Sequence, residues 1–281
     1  MIVDSHAHYI QPPSADRPYA GPATVVPTSV DELAEAAALA GVDRVIQVTP
    51  STMGYDNRYS FEGARARPDR IAGVFGRFDP QAPEVERRLR EYWADPLALG
   101  VRQTMFGEGT QRWLQDRVLD PFLRAAAALD MPVALFAPFQ VQAVLETVDR
   151  HPDVRFLVDH TLIRHEPGQT TRSAYRHWSE LLVLASRPNV WTKVSHFPEA
   201  ALGEEPYPFP TARERFRQLF EHVGPGRLVW GSNYPPVRRA CTYRQALGFV
   251  QEACDFLDGA DRREILGGTW MTHFSRKTPP A

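Results

Sequence analysis

Cysteine is almost missing from this chain of 281 residues: Cys241 and Cys254 are the only two, and they form no C-x-x-C pair. Two thiols cannot supply a disulfide framework at this size, so a reducing cytoplasm is the expected compartment. A charge excess is missing as well. Lys and Arg total 32 against 34 Asp and Glu, a formal net charge of −2, which gives no electrostatic pull towards nucleic acid or an acidic membrane. No run approaches the roughly 18 apolar residues of a membrane span. The N-terminus has no basic segment followed by a long apolar core, so no signal peptide is expected. The first strand lacks a G-x-G-x-x-G turn, and no Walker-type loop follows any strand, which removes the usual nucleotide sites. A small molecule is the expected partner.

What the chain does have is a regular alternation. Ile2-Val3 opens an apolar run that ends on His6 and His8. Ser29 and Glu32 form a capping box ahead of a helix that stops at Gly41, and Arg44–Thr49 reads as the second strand. Further strands fall at Ile71–Phe78, Leu99–Thr104, Pro132–Ala137, Val154–His160, Val190–Ser195 and Arg227–Ser232. Helices lie between them at Arg58–Arg67, Glu84–Trp93, Val118–Leu129, Val141–Arg150, Ser173–Ser186 and Ala212–Val223, and Tyr243–Leu257 follows the last strand. Eight strands alternating with eight helices, with no compositional break over residues 1–281, predict a single (β/α)8 TIM-type barrel domain. Residues 11–27 and 105–117 read as long loops at strand ends, and residues 276–281 as a flexible tail.

In such a barrel the chemistry sits at the C-terminal ends of the strands. Those ends carry His6, His8, Arg102, Phe136, His160, Lys193, Ser195 and Asn233. Strand alternation points Asp4, His6 and His8 one way, and puts His160 on the face of Phe156 and Val158. The same alternation turns Asp159 towards the helices. Arg102 has Glu108 as a possible acidic neighbour.

Several of these segments carry a family resemblance: Val3-Asp4-Ser5-His6-Ala7-His8, Gly100-Val101-Arg102, Phe156 to His160, Val190 to Ser195, Arg227 to Pro235 and Ile265 to Thr269. The chain resembles the amidohydrolase superfamily, specifically its amidohydrolase-2 group. That group includes aminocarboxymuconate-semialdehyde decarboxylase, sugar lactonases and pyrone-dicarboxylate lactonases. Two departures stand out. Members usually end strand eight on a metal-binding, proton-accepting aspartate, and here the position is Asn233. Metal-using members often end strand five on histidine, and here Phe136 stands there. An amide is no general base near neutrality. The remaining His6, His8 and His160 make an incomplete set for Zn2+.

The resemblance therefore implies a hydrolase opening a lactone or ester of a small oxygenated carboxylic acid, with no tightly bound metal. His6, His8, His160 and Asn233 are the expected catalytic group, with His160 transferring the proton. Arg102, Lys193, Ser195 and Phe136 are expected to bind substrate, the two cations through its carboxylate. Competing readings are a lactone isomerase on the same site, a metal-dependent decarboxylase with Zn2+ on His6, His8 and His160, and a non-catalytic ligand-binding protein.

Overall fold

The computed structural model describes residues 1–276 apart from 21–25, 108, 165–167, 169, 202 and 203. Among the described residues, eight parallel strands lie side by side in sequence order. They are β1 (Val3–Ala7), β2 (Arg44–Val48), β3 (Ile71–Arg77), β4 (Ala98–Thr104), β5 (Val133–Phe136), β6 (Phe156–Val158), β7 (Val190–Val194) and β8 (Leu228–Trp230). A parallel bridge between Ala7 and Tyr234 brings the end of β8 back beside β1. The Asn233 amide donates to the His6 carbonyl and the His8 amide to the Tyr234 carbonyl, each at 2.8 Å. The sheet thus curls into the expected (β/α)8 barrel.

Gly231 makes that approach possible. A Cβ there would come within 2.8 Å of the His6 Cβ, so any side chain would push β8 off β1.

Parallel strands bury both faces, and two cores result. Inside the barrel, Ile46, Val48, Phe75, Leu99, Leu157, Trp191 and Val229 pack together. Trp270 and Phe274 close this interior from the C-terminal segment, with ring centroids 5.8 Å apart for Phe75–Trp270 and 5.3 Å for Trp270–Phe274. Outside the barrel, the other face of each strand meets the helices through residues such as Val45, Val74, Val133, Phe156 and Val158.

The helices are α1 (Val30–Ala40), α2 (Arg58–Ala66), α3 (Val85–Ala94), α4 (Asp120–Ala128), α5 (Val141–Arg150), α6 (Thr171–Ala174), α7 (Trp178–Ala185), α8 (Phe197–Ala200), α9 (Pro210–Val223), α10 (Tyr243–Gly248), α11 (Gly259–Arg263) and α12 (Thr269–His273). Both predicted signals around α1 are present: the Ser29–Glu32 capping box and Gly41 at φ 87°. The stretch expected as one helix over Ser173–Ser186 is divided, because Thr170 caps the short α6 and a fresh start follows at Trp178. After α10 the backbone widens to π-helix over Phe249–Ala253. The C-terminal α11 has its own signal, Asp258 accepting from the amides of Ala260 and Asp261. No described helix is long and apolar enough to cross a membrane.

The base of the first long loop is tied by an antiparallel bridge between Ile10 and Thr28. Residues 21–25 of that loop, Glu108 of the second and residues 277–281 of the expected tail lie outside the described residues.

Candidate active site

Strand alternation fails in β1, and the failure shapes the site. Asp4 pairs with Val45 and Ala7 with Gln47, so β1 takes three residue steps where β2 takes two. Such a bulge changes which side chains share a face. Asp4 consequently does not point with His6 and His8 as expected. It accepts from Ser232 Oγ and Tyr243 Oη at 2.5 Å each, and from the amides of His6 and Ser232 at 2.9 Å. Burial raises its carboxyl above the usual range, against those hydrogen bonds.

The end of β6 departs further from the prediction. The strand stops at Val158, and His160, Thr161 and Leu162 all have left-handed φ of 56°, 50° and 56°. Left-handed backbone at a β-branched residue is costly, roughly 1–3 kcal/mol, and tends to mark functional segments. Two expectations fall with this turn. Phe156 and Val158 belong to the outer core, and His160 does not share their face. Asp159 points inward rather than at the helices, because it follows Leu157 on the inner face.

Asp159 is in fact the hub. Arg102 Nε donates to its Oδ2 at 2.7 Å, and Lys193 Nζ stands 3.1 Å from its Oδ1. His6 Nδ1 lies 3.2 Å from Lys193 Nζ and 3.5 Å from Asp159 Oδ1. Burial alone would raise the Asp159 carboxyl, but Lys193, His6 and Arg102 together outweigh it and hold it well below the carboxylate range. Burial pulls Lys193 down, with Asp159 opposing.

Above this layer a cavity of ≈ 290 Å³ opens at the strand ends. His8, Arg102, Phe136, His160, Asn233 and Glu199 line it, together with Ser51, Phe106, Arg164, His196, Pro236 and Arg239. Five of the eight predicted site residues therefore face one space. His6, Lys193 and Ser195 do not line it. His6 lies one layer down, its ring centroid 4.3 Å from that of His160 and 4.9 Å from that of His8.

The imidazoles are set by their neighbours. His8 Nδ1 donates to the Val48 carbonyl at 2.6 Å, leaving the Nε2 lone pair available. His160 Nδ1 meets Ser195 Oγ at 2.9 Å. Burial, helped by Arg102, pushes His8 down to about 3. Burial also drives His6 and His160 well below the ordinary imidazole value. Burial thus favours the uncharged form of all three rings.

Sequence reasoning named Asn233 but missed His196, Glu199, Arg164 and Arg239, which also line the cavity. His196, just after β7, is left-handed at φ 65° and leads into α8, which carries Glu199. Asn233 is left-handed at φ 57°, and its Nδ2 donates to Glu199 Oε1 at 2.8 Å. Pro198 followed by an acidic residue is a helix-start signal that could have drawn attention to Glu199. Arg164 and the exposed Arg239 add positive charge to the cavity wall. Arg77 on β3 is buried near Arg102, donating to Thr104 Oγ1 at 2.9 Å and pushed down to about 10 by burial and by Arg102.

Among the described residues, His6, Asp159 and His160 bring donor atoms within 4.8 Å of one another and could hold a divalent ion. His6 Nε2 is buried without a hydrogen-bond partner among the described residues. Asp159 Oδ1 is likewise buried without a hydrogen-bond partner among the described residues, although Lys193 Nζ stands 3.1 Å away, so this donor set allows a divalent ion.

The sequence model described as amidohydrolase matches residues 3–269. An L-fucono-1,5-lactonase of Burkholderia ambifaria is 29% identical, over 99% of this chain and 97% of that protein. A probable 2-pyrone-4,6-dicarboxylic acid hydrolase of Acinetobacter baumannii, solved with citric acid bound, superposes with a TM-score of 0.79 at 22% identity, covering 98% and 99% of the two chains. An amidohydrolase of Burkholderia multivorans solved with bound zinc gives 0.83 at 22% identity over the same shares. With its barrel, its strand-end histidines and a match over nearly its whole length, the chain belongs to the amidohydrolase family.

Proposed function

We propose that this protein hydrolyses the lactone ring of a small oxygenated acid without a resident metal. The observation that carries the reading is the cavity: neutral imidazoles and a buried carboxylate–amide pair at its base, with arginines around its wall. A lactone is an activated ester, so water attack requires oriented donors more than a Lewis acid. Arg102, held by Asp159 at the cavity base, stabilises the oxyanion that develops on the lactone carbonyl. His8 Nε2 accepts one hydrogen bond from the attacking water and orients it, with the His160 ring packed beside it. Arg164 and Arg239, nearer the mouth, take the substrate's acid group, the part given to Arg102 and Lys193 on sequence grounds. Lys193, His6 and Ser195 act from beneath as positioning residues. The full-length likeness to an L-fucono-1,5-lactonase supports sugar-acid lactones as the first class to test.

The test is a pH-indicator assay over a panel of aldonolactones and carboxylated lactones, on protein purified without added metal and again after chelation. Turnover that survives chelation supports the proposal. Chelator-sensitive turnover with stoichiometric zinc sinks the metal-free part, and no turnover of any lactone sinks the whole. Arg239→Met serves as the specificity check. Losing one charge-assisted contact near solvent raises KM for an acidic lactone about tenfold, and leaves a neutral lactone unaffected.

A further inference from the structure

Lactone hydrolysis needs a group to take a proton from water, and the usual strand-eight carboxylate is absent here. We infer that Glu199, presented by α8 and held by Asn233, is the general base of this site. The inference rests on the lactonase reading and deepens it.

Glu199 is 3% exposed and yet lines the cavity. One oxygen, Oε1, accepts from Asn233 Nδ2 at 2.8 Å. The other, Oε2, is buried and has no hydrogen-bond partner among the described residues. A purely structural carboxylate at this depth would be paired with a cation or hydrogen-bonded through both oxygens, since an unsatisfied buried acceptor costs stability. Strand eight and α8 thus exchange roles: Asn233 becomes the donor that orients, and Glu199 the acceptor that reacts. The left-handed backbone at His196 and Asn233 turns both segments into the cavity.

Burial raises the Glu199 carboxyl above its ordinary value, with His196, the Asn233 amide and Arg239 opposing, while Tyr175 and Cys241 are the other titratable groups close to it. That direction suits a proton acceptor near neutrality.

The step balances without a co-reactant. Water oxygen bonds to the lactone carbonyl carbon as Glu199 takes one water proton. The tetrahedral oxyanion then collapses, the ring C–O bond breaks, and the leaving alkoxide takes that proton from Glu199. The products are the hydroxy acid and the regenerated carboxylate.

Glu199→Gln keeps the acceptor for Asn233 and removes the base. With a lactone the parent turns over, kcat falls by about 10²–10⁴, KM stays within about threefold, and the acid limb of the pH–rate profile disappears. Glu199→Asp keeps the limb at reduced kcat. In the parent, that limb barely moves with temperature, as a carboxylate ionisation does, whereas an imidazole limb shifts downward on warming. An active parent whose Glu199→Gln variant retains kcat, or whose acid limb moves like an imidazole's, overturns the assignment. An inactive parent overturns the lactonase reading and the assignment with it.

Discussion

Asn233 shows how much one atom changes at this site. Its Nδ2 is a donor 2.8 Å from Glu199 Oε1, and Asn233→Asp would put a second carboxylate oxygen in that place. Two carboxylates so close cannot both ionise near neutrality, and one proton stays with the pair. The expected outcome is a drop in activity at pH 7, with the acid limb of the pH–rate profile moved to higher pH. An unmoved limb would show that the two groups do not interact in solution. Asp159 is the opposite case, a carboxylate whose charge is required. Asp159→Asn leaves Arg102 and Lys193 buried without their counter-ion, and breaking such a network costs about 3–5 kcal/mol. Urea denaturation reads this directly, and a loss under about 1 kcal/mol would mean that Arg102 and Lys193 find other partners.

At the scale of elements, the barrel was legible because its signals are local. Alternating apolar runs, the Ser29–Glu32 box and Gly41 gave strand order and the first helix correctly. The site was legible where the strand period held, as at His8, Arg102 and Phe136, which share the cavity. It was not legible at the β1 bulge, which removes Asp4 from the histidine face. Nor was it legible at His160-Thr161-Leu162, where three non-glycine residues hold left-handed backbone. No side chain in that triplet signals such a turn, because the packed surroundings impose it against local preference. Asp159 was misplaced for this reason, and Glu199 was overlooked because a four-residue helix offers almost no periodicity. The seam between β8 and β1 gives an element-level test. Gly231→Ala forces a Cβ to within 2.8 Å of His6 Cβ, an overpacking that costs about 1–3 kcal/mol. A lower melting temperature together with reduced kcat is expected, since His6 must move. Unchanged values for both would show that the seam yields without strain.

For the molecule as a whole, the buried imidazoles dictate an acid-sensitive fold. His6, His8 and His160 have folded pKa values below the unfolded value of about 6.5. Their contribution to stability is complete above that pH. It shrinks as pH falls, because the unfolded chain binds protons that the folded chain refuses. Asp159 adds a second loss below the ordinary carboxylate pKa. Asp4 and Glu199, raised in the fold, act in the opposite sense and gain stability as pH falls. Three imidazoles give a slope of at most about 4 kcal/mol per pH unit just below pH 6. Urea midpoints between pH 5 and 7.5 measure it, and a flat profile would place protons on these rings in the native state. The aromatic stack under Lys193 has a consequence of another kind. Phe75 lies 5.3 Å from the Lys193 ammonium, and Trp270 of α12 seals Phe75 from below. Removing α12 would leave His6 and His8 at the strand ends but open the charged hub around Lys193 to water from below.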